Sequence, residues 1–368
     1  MAPPTGSLPP GNLKALHAFS LADLEAVRLV LRGDSVIDWH RLDFADLGEV
    51  DAFLRANEFD PESSADLDRL QAIKAEAIGY LRRQFHYPVP KPVEDAPVRE
   101  LLLLASTKGH RQACACTILK AMHVIHHLEG RELLFVLPFS DQEVFRLVEE
   151  KVFRVIGQML AHGLPVVEFV GGRKNRDSLY TKLLSKQDTI AAQVYDKLRF
   201  RIVTRSESDL LPVLEYLTKQ LFPFNYVVPG QSSNNIVRFR EVCEATPHLA
   251  PMLAHMQVGL DDDLTTGDNK FSANNYRIIH VVVDMPVRLS EDLLEAAPAR
   301  SANLGRVGFV ICEFQLVDRA TDQSNELGDA SHDAYKGRQK KAVMRRLHLG
   351  DREDRVSGRR LGGPKRPV

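Results

Sequence analysis

Cysteine and long apolar runs are both scarce in this chain of 368 residues. The four cysteines are too few and too irregularly spaced for a disulfide scaffold, which favours a reducing compartment. No apolar run approaches the roughly 20 residues that a membrane helix requires. The Pro- and Gly-rich start of the chain also lacks the basic and apolar segments of a signal peptide. We therefore expect a cytoplasmic protein that has no membrane partner.

An excess of charge of one sign is absent as well, because the formal net charge is -1. The overall composition therefore indicates no class of partner. The charge is uneven along the chain, however, since lysine and arginine far outnumber acidic residues after Lys336. We predict that residues 337–368 form a basic, disordered tail. The alternative role for this tail is electrostatic contact with RNA phosphates or with an acidic substrate.

The first half of the chain is predicted to be helical. Apolar residues recur at three- and four-residue intervals from Ser20 to His86, and Ser20 with Asp23 matches a capping box. The Pro-rich segment 87–97 cannot be regular helix and marks an internal boundary. Further helix is expected from Val98, followed by a short strand or a buried connection at 131–138.

A second capping box, at Ser140 and Glu143, predicts an amphipathic helix that ends near Gly163. After Gly163 the spacing of the apolar residues changes, and short β-like runs alternate with helical or loop segments. This order predicts an α/β (α+β) fold with a mixed β-sheet flanked by helices. The predicted strands are Pro165–Val170, Arg199–Thr204, Ile278–Asp284 and Val307–Leu316. The predicted parts of the chain are a flexible N-terminus (1–19), a helical accessory region (20–163), the α/β domain (164–336) and the tail (337–368).

Basic residues follow the first predicted strand, in the segment Gly171 to Lys182. If a helix begins near Asp177, Lys174 lies just before it, and Ser178 and Lys182 share one helical face. Free helix amides and ammonium groups would then converge, an arrangement that suits a polyphosphate. A solvated basic turn is the alternative interpretation, and the segment does not match a P-loop.

Carboxylates accompany two of the predicted strands. Asp196 stands at the entry of one strand, along which Arg199 and Arg201 alternate, and Glu313 and Gln315 share one face of another. Two carboxylates from neighbouring strands could hold Mg²⁺, with phosphate oxygens and water completing the octahedron. Either carboxylate alone is also compatible with an ordinary strand edge.

The order and spacing of these pieces resemble the synthetase domain of the RelA/SpoT alarmone synthetase family. In that family a basic ATP-binding turn, a metal-binding Asp, an Asn-Gly-Tyr-x-Ser-x-His motif, a Glu-x-Gln strand and a His-x-x-Tyr-Lys segment follow one another. The matching segments here are Lys174 to Lys182, Asp196 to Arg201, Asn274 to His280, Glu313 to Leu316 and His332 to Lys336. The resemblance covers Gly171 to Lys336 and implies a nucleotidyltransferase-like fold.

The resemblance also implies a role for each matching residue. Residues that would contact the ATP phosphates are Arg173, Lys174, Ser178, Lys182 and Arg201. Asp196 and Glu313 would be the catalytic residues and would hold Mg²⁺. Tyr276 would stack on the base of the acceptor, and His280, Gln315 and His332 would line the acceptor side. The implied reaction is transfer of the β,γ-diphosphate of ATP to a ribose 3'-hydroxyl of a guanosine nucleotide, as in (p)ppGpp synthesis.

The sequence departs from the family pattern around the acceptor, where Asn275 replaces a glycine and Ile278 a serine. The basic turn also differs, because the usual arginine position is Gly172 and the arginine is adjacent, at Arg173. Two alternatives therefore remain open. One is pyrophosphorylation of the tRNA 3' end by a toxin-like relative, and the other is a non-catalytic nucleotide-binding regulator.

The hydrolase that accompanies bifunctional members of the family is not supported, because no His-Asp pair precedes Gly171. The only dense histidine cluster there is His123, His126 and His127. Cys116, His123 and His127 share a helical face, so a metal site is an alternative to buried or helix-end side chains. The helical region would pack beside the sheet or bind a regulator or partner subunit, and the sequence leaves homo-oligomerisation open.

Overall fold

A computed structural model describes residues 13–34, 42–138, 140–185, 197–256, 259, 275–327 and 331–348. Helices dominate the first half, and all five strands of the described sheet lie after residue 165. The helices of the first half are α1 (Leu21–Arg32), α2 (Leu47–Ala56), α3 (Ser64–Phe85), α4 (Lys91–Glu94), α5 (Val98–Ser106), α6 (His110–Val136) and α7 (Asp141–Ala161). The later helices are α8 (Arg176–Ser185), α9 (Leu210–Gln220), α10 (Phe239–Glu244), α11 (Glu291–Glu295), α12 (Arg319–Asn325) and α13 (His332–Arg346).

The five strands form one mixed sheet in the order β1-β2-β5-β4-β3. Their bounds are β1 Val166–Arg173, β2 Leu198–Thr204, β3 Ser233–Asn234, β4 Ile279–Arg288 and β5 Val307–Asp318. Strands β2 and β5 are parallel, whereas the other neighbouring pairs are antiparallel. The mixed α/β architecture with a preceding helical region, predicted from the sequence, is confirmed.

Alternation along β2 explains how the sheet acquires two different faces. Leu198, Phe200 and Ile202 are fully buried, while Arg199 is exposed and Arg201 half-buried. Because successive side chains of a strand point to opposite faces, one face joins the core and the other carries the guanidinium groups. Helix α7 packs against β1, β4 and β5, and its Val152, Val155 and Ile156 belong to the same apolar core as Phe200.

Helix α1 also belongs to the core of the sheet, through Leu24, Val27 and Val30. Its predicted capping box is present, since the Ser20 hydroxyl accepts from the Asp23 amide and the Asp23 carboxylate accepts from the Ser20 amide. The predicted box at Ser140 and Glu143 likewise starts α7. Polar side chains that satisfy the free amides of a first turn define where a helix begins.

Helix α6 approaches β5 closely through glycines. A Cβ added at Gly130 would collide with the ring of Phe309, and one added at Gly308 would lie 2.7 Å from Leu134 Cδ2. The missing side chains therefore allow the helix and the strand to pack with little space between them. This contact joins the helical region to the sheet.

Two segments differ from their predicted structure. Residues 131–138, expected as a strand or a connection, continue α6 to Val136, because Leu133 packs in a small core with Leu137 and Leu289. Tertiary packing thus outweighs the short apolar run. Helix α13 continues to Arg346, into the segment predicted to be a disordered tail, because it packs against α8.

No helix in the described ranges is both long and apolar enough to cross a bilayer. The predicted boundary segment 87–97 contains the short helix α4, with irregular backbone on both sides of it. Its carbonyls are held by the fully buried Lys74, whose ammonium donates to the carbonyl oxygens of Glu94 and Ala96. Burial lowers the pKa of Lys74, and the nearby Glu94 and Asp95 oppose this change.

Candidate active site

Three neighbouring strands carry a row of polar residues across the sheet. Arg201 of β2 lies beside Gln315 of β5, and Gln315 lies beside His280 of β4. In the adjacent row Arg199 is paired with Glu313. We call this surface, formed by Arg199, Arg201, His280, Glu313 and Gln315, the polar face. All five belong to the segments that the sequence singled out.

A short hydrogen-bond network fixes the carboxylate at the centre of the polar face. The side-chain amide of Gln315 donates to Glu313 Oε1 over 2.5 Å, and His280 Nε2 lies 3.4 Å from the same oxygen. His280 Nδ1 lies 3.1 Å from the carbonyl oxygen of Gln231. Glu313 is almost fully buried, at 6% exposure. The network therefore holds a desolvated carboxylate in one orientation.

The protonation of His280 responds to this environment. Burial by itself lowers the pKa of His280, but the Glu313 carboxylate and the Gln231 carbonyl outweigh it, so the pKa is raised above its usual value. Lys182 opposes that increase. Lys182 of α8 and the Glu313 carboxylate therefore act in opposite directions on the pKa of His280.

Asn175 begins the basic helix of the site. Its side-chain oxygen accepts a hydrogen bond from the Ser178 amide at 2.8 Å, as an N-cap residue does. The backbone amide of Lys174 donates to the carbonyl oxygen of Lys197, which ties the turn to the start of β2. Helix α8 then follows at Arg176, one residue before the predicted start. Lys174, Ser178 and Lys182 thus lie where the sequence places them, before and along one short helix.

Helix α13 supports α8 at both ends. The ammonium of Lys336 lies 3.3 Å from Ser178 Oγ, and the guanidinium of Arg346 donates to the carbonyl oxygens of Leu183 and Leu184. None of the α8 side chains is buried, so these contacts matter for its position. His332 is the first residue of α13, and the structure describes its backbone. The late His-x-x-Tyr-Lys segment therefore meets the basic turn in space.

Arg173 points away from the polar face. It is paired with Leu198 in the antiparallel register of β1 and β2, so both side chains lie on the apolar face of the sheet. There its guanidinium binds Glu149 of α7 through two hydrogen bonds, at 2.9 and 2.8 Å, and lies over the ring of Phe145. The structure therefore separates Arg173 from the residues with which the family resemblance groups it. Gly172 occupies the polar-face position instead.

Arg201 is engaged by two acidic residues near the end of the sheet. Its guanidinium pairs with Asp322 of α12, and it lies 3.7 Å from Glu326. Arg201 Nε, although buried, has no hydrogen-bond partner among the described residues. A phosphate oxygen would compete with these carboxylates for a guanidinium that retains one unused donor.

Two asparagines hold the segment that carries Tyr276. The side chain of Asn235 donates to the Tyr276 carbonyl oxygen at 2.7 Å and accepts from the Ile278 amide at 2.6 Å. Asn325, which is 1% exposed, binds the amide and the carbonyl oxygen of Arg277 at 3.0 and 2.7 Å. Each side-chain amide thus replaces a backbone partner on this extended stretch. Sequence reasoning missed both residues, because an asparagine in or near a loop has no distinctive spacing.

Tyr276 lies beside the polar face. Burial raises the pKa of its hydroxyl, Arg201 and Arg199 lower it, and Glu313 and Asp322 raise it further. These four groups therefore lie within electrostatic range of the hydroxyl. The tyrosine is half-buried and packs against the apolar core.

Of the two predicted metal ligands, Asp196 and Glu313, the structure describes Glu313. Asp196 lies outside the described residues. Glu313 supplies a carboxylate, the type of oxygen ligand that Mg²⁺ prefers, and it stands on the strand next to the one that Asp196 precedes. The donor chemistry at Glu313 is therefore compatible with Mg²⁺.

The predicted histidine cluster on α6 is divided among different partners. His123 Nδ1 lies 3.1 Å from Asn225 Nδ2, and His127 Nε2 lies 2.7 Å from Asp284 Oδ2. The His126 ring lies 4.9 Å from that of Phe59, centroid to centroid, in a tilted contact. Burial, with charge repulsion from His127 and His126, lowers the pKa of His123 to about 3. Over the ranges that the structure describes, no three His, Cys, Asp or Glu side chains are arranged to hold a metal.

No protein-family model matches the sequence, and no curated protein matches it. Solved structures similar to the chain include small alarmone synthetase 2 from Bacillus subtilis, at 18% identity and a TM-score of 0.30, over 62% of this chain and 97% of that one. Small alarmone synthetase 1 from Bacillus subtilis, bound to its product pppGpp, is similar at 17% identity and a TM-score of 0.30, over 58% and 90%.

A GTP pyrophosphokinase family protein from Streptococcus pneumoniae is similar at 16% identity and a TM-score of 0.28, over 60% of this chain and 94% of that one. At 16 to 18% identity and TM-scores of 0.28 to 0.30, these similarities assign no function to the chain.

Proposed function

We propose that the chain is a Mg²⁺-dependent pyrophosphokinase of the RelA/SpoT type, which transfers the β,γ-diphosphate of ATP to the ribose 3'-hydroxyl of a guanosine nucleotide. The observation that carries this proposal is the meeting of two motif groups. Glu313, Gln315 and His280 form one network on the polar face, and the Lys174 amide ties the basic turn to the start of β2, the strand beside Glu313. Cationic and carboxylate groups would therefore stand on either side of one site.

The donor side would be formed by α8 and the helix that supports it. The N-terminus of α8 and the side chains of Lys174, Lys182 and Lys336 supply positive charge, which favours the phosphates of ATP. Lys336 already reaches Ser178. Because phosphoryl transfer depends mainly on positioning and on charge neutralisation, these groups would account for most of the catalytic effect of the protein.

The acceptor side would be formed by Tyr276 and the polar face. Tyr276 would stack on the base, and His280 and Gln315 would hold Glu313 in the orientation in which it accepts the proton of the 3'-hydroxyl. When bound by Glu313 and Asp196, Mg²⁺ would neutralise charge on the phosphates. The buried position of Glu313 strengthens each of these electrostatic interactions.

The test is a transfer assay with γ-labelled ATP, Mg²⁺ and, in separate reactions, GDP, GTP or bulk tRNA. We expect label in a guanosine product. Label in tRNA would replace the guanosine acceptor with the tRNA 3' end, a role that the basic residues of α13 and beyond would suit. Absence of transfer to all three acceptors would contradict the enzymatic proposal and favour a nucleotide-binding regulator.

A pair of variants links activity to the polar face. Glu313→Gln should reduce transfer by a factor of about 100 or more, because it removes the carboxylate while it keeps the shape of the side chain. Glu207→Gln is the matched control, since Glu207 is exposed and lies outside the site. Equal activity in both variants would exclude Glu313 from catalysis.

A further inference from the structure

A cavity of about 420 Å³ lies between the helical region and the sheet, away from the polar face. Arg288, the last residue of β4, and Val307, the first residue of β5, line it. His280 lies near the opposite end of β4, and Glu313 lies near the middle of β5. The volume falls within the range of small-molecule sites. None of the proposed catalytic residues lines this cavity.

Unsatisfied polar atoms belong to two side chains that line the cavity. His126 is 7% exposed, and neither of its ring nitrogens has a hydrogen-bond partner among the described residues. Arg69 Nε is buried and also has no such partner, although the other end of this guanidinium binds Glu129. Buried polar groups are normally paired, and leaving them unpaired destabilises a protein. The two groups could be satisfied by a molecule in the cavity.

The lining indicates the chemistry of that molecule. Three guanidinium groups line the cavity against two carboxylates: the arginines are Arg69, Arg288 and Arg306, and the acids are Asp66 and Glu291. Each of the three guanidinium groups has a carboxylate partner: Arg288 pairs with Asp66, Arg306 with Glu291, and Arg69 with Glu129, which is not part of the lining. What the lining leaves unused among the described residues is the N–H of Arg69 Nε.

The remaining wall is largely apolar. Phe59, Leu294 and Val307 contribute to it, and the ring centroid of Phe59 lies 4.9 Å from that of His126. A site that combines an apolar wall with a few convergent polar groups fits a small organic molecule better than a hydrated inorganic ion. The unpaired Arg69 Nε and His126 ring nitrogens favour a hydrogen-bond acceptor on that molecule, and a carboxylate or a phosphate is the strongest acceptor for a guanidinium N–H.

We propose that this cavity is a binding site for a small organic anion, whose carboxylate or phosphate accepts hydrogen bonds from Arg69 and His126. The anion would contact α3 and α6 of the helical region together with the ends of β4 and β5. Its binding would therefore stabilise the junction between the helices and the sheet. The site requires no catalytic activity of the polar face.

Binding can be measured on the full chain by calorimetric titration and by thermal unfolding, with succinate, glycerol 3-phosphate and inorganic phosphate as probes. Succinate and glycerol 3-phosphate distinguish a carboxylate from a phosphate ligand. His126→Phe removes both ring nitrogens while it keeps an aromatic ring, and Ala297→Phe fills part of the cavity from another side. Tyr276→Ala is the control, because it alters the acceptor side and leaves the cavity intact.

We expect saturable binding of at least one organic probe, weakened about tenfold or more in both cavity variants and unchanged in Tyr276→Ala. Thermal unfolding without ligand shows whether each variant is folded, and either folded cavity variant is sufficient for the test. The proposal is overturned if no probe binds at millimolar concentration, if inorganic phosphate binds as well as the organic probes, or if binding is lost only in Tyr276→Ala.

Discussion

The ammonium group of Lys336 lies 3.3 Å from the hydroxyl of Ser178, and this contact joins the last described helix to the basic helix of the site. The two residues are far apart in sequence, yet both belong to motifs that the family resemblance assigns to one reaction. Because no α8 side chain is buried, the position of this helix depends on such contacts. Lys336 therefore has two roles in the proposed function, as a support for α8 and as a source of positive charge.

Replacement of this lysine should weaken the ATP side of the site. We expect Lys336→Met to raise the KM for ATP about tenfold, because a charged hydrogen-bond donor is lost, and to leave the acceptor KM nearly unchanged. Steady-state assays with each substrate varied in turn provide the measurement. Lys340→Met, at an exposed position of the same helix, should behave like the wild type. An equal effect of both substitutions would indicate a general electrostatic contribution of α13.

Asn325 should influence the acceptor through Tyr276. Asn325→Ala removes both hydrogen bonds to the backbone of Arg277 and should loosen the segment that carries the tyrosine. We expect the acceptor KM to rise by about tenfold with little change in the ATP KM. Ser324→Ala, on the exposed neighbour, is the control. A change confined to kcat, with both KM values unaltered, would contradict a positioning role.

Asp23 should make the stability of the fold depend on pH in the acidic range. Burial alone would raise the pKa of its carboxyl, but Lys219, Lys14 and the Ser20 amide outweigh it and lower the pKa to about 2. A lowered pKa stabilises the folded state above the usual value of 3.8, and this stabilisation is lost as the pH falls through about 2. The contribution at neutral pH is about 2 kcal/mol.

Urea unfolding between pH 7 and pH 2 tests this contribution. Asp23→Asn should be less stable than the wild type at pH 7, and the difference should shrink as the pH falls below about 4. A difference that is constant over this range would show that the substitution acts through packing or the helix cap instead of through charge.

The close approach of α6 and β5 should make Gly130 intolerant of a side chain. Gly130→Ala places a methyl group against the ring of Phe309 and 2.6 Å from the carbonyl oxygen of Val307, so we expect a loss of about 2 kcal/mol in the free energy of unfolding. Gly157→Ala, in α7, meets no atom within 4 Å and should gain about 1 kcal/mol through helix propensity. Chemical denaturation of both variants provides the comparison, and a stable Gly130→Ala would show that the contact is looser than the structure indicates.

The sequence predicts those parts of the fold that depend on local patterns. Alternation in β2 and the capping residues Ser20 and Ser140 each act over a few residues, and the corresponding elements are found where expected. Strand β3 has only two residues, too few for a recognisable alternation. The continuation of α6 to Val136 depends on contacts with distant residues such as Leu289, which no local pattern contains.

For the site as well, the sequence predicts what motifs contain and does not predict what depends on contacts between distant residues. The order of the motifs predicts that Glu313, Gln315 and His280 belong to one site, and in the structure their side chains form one network. The direction of Arg173 depends on its pairing with Leu198, which the sequence does not specify. The roles of Glu313 and Tyr276 in catalysis stay predictions until the transfer assay is done.

The support of α8 by α13 also has a consequence for the order in which the protein is made. Lys336 and Arg346 are synthesised after all five strands, yet they hold the helix that follows the first strand. A growing chain could complete the sheet, with Glu313 and His280 in place, while α8 still lacked its partner. The proposed ATP side would therefore be the last part of the site to become ordered during translation, and a nascent chain would acquire its acceptor side before it could use ATP.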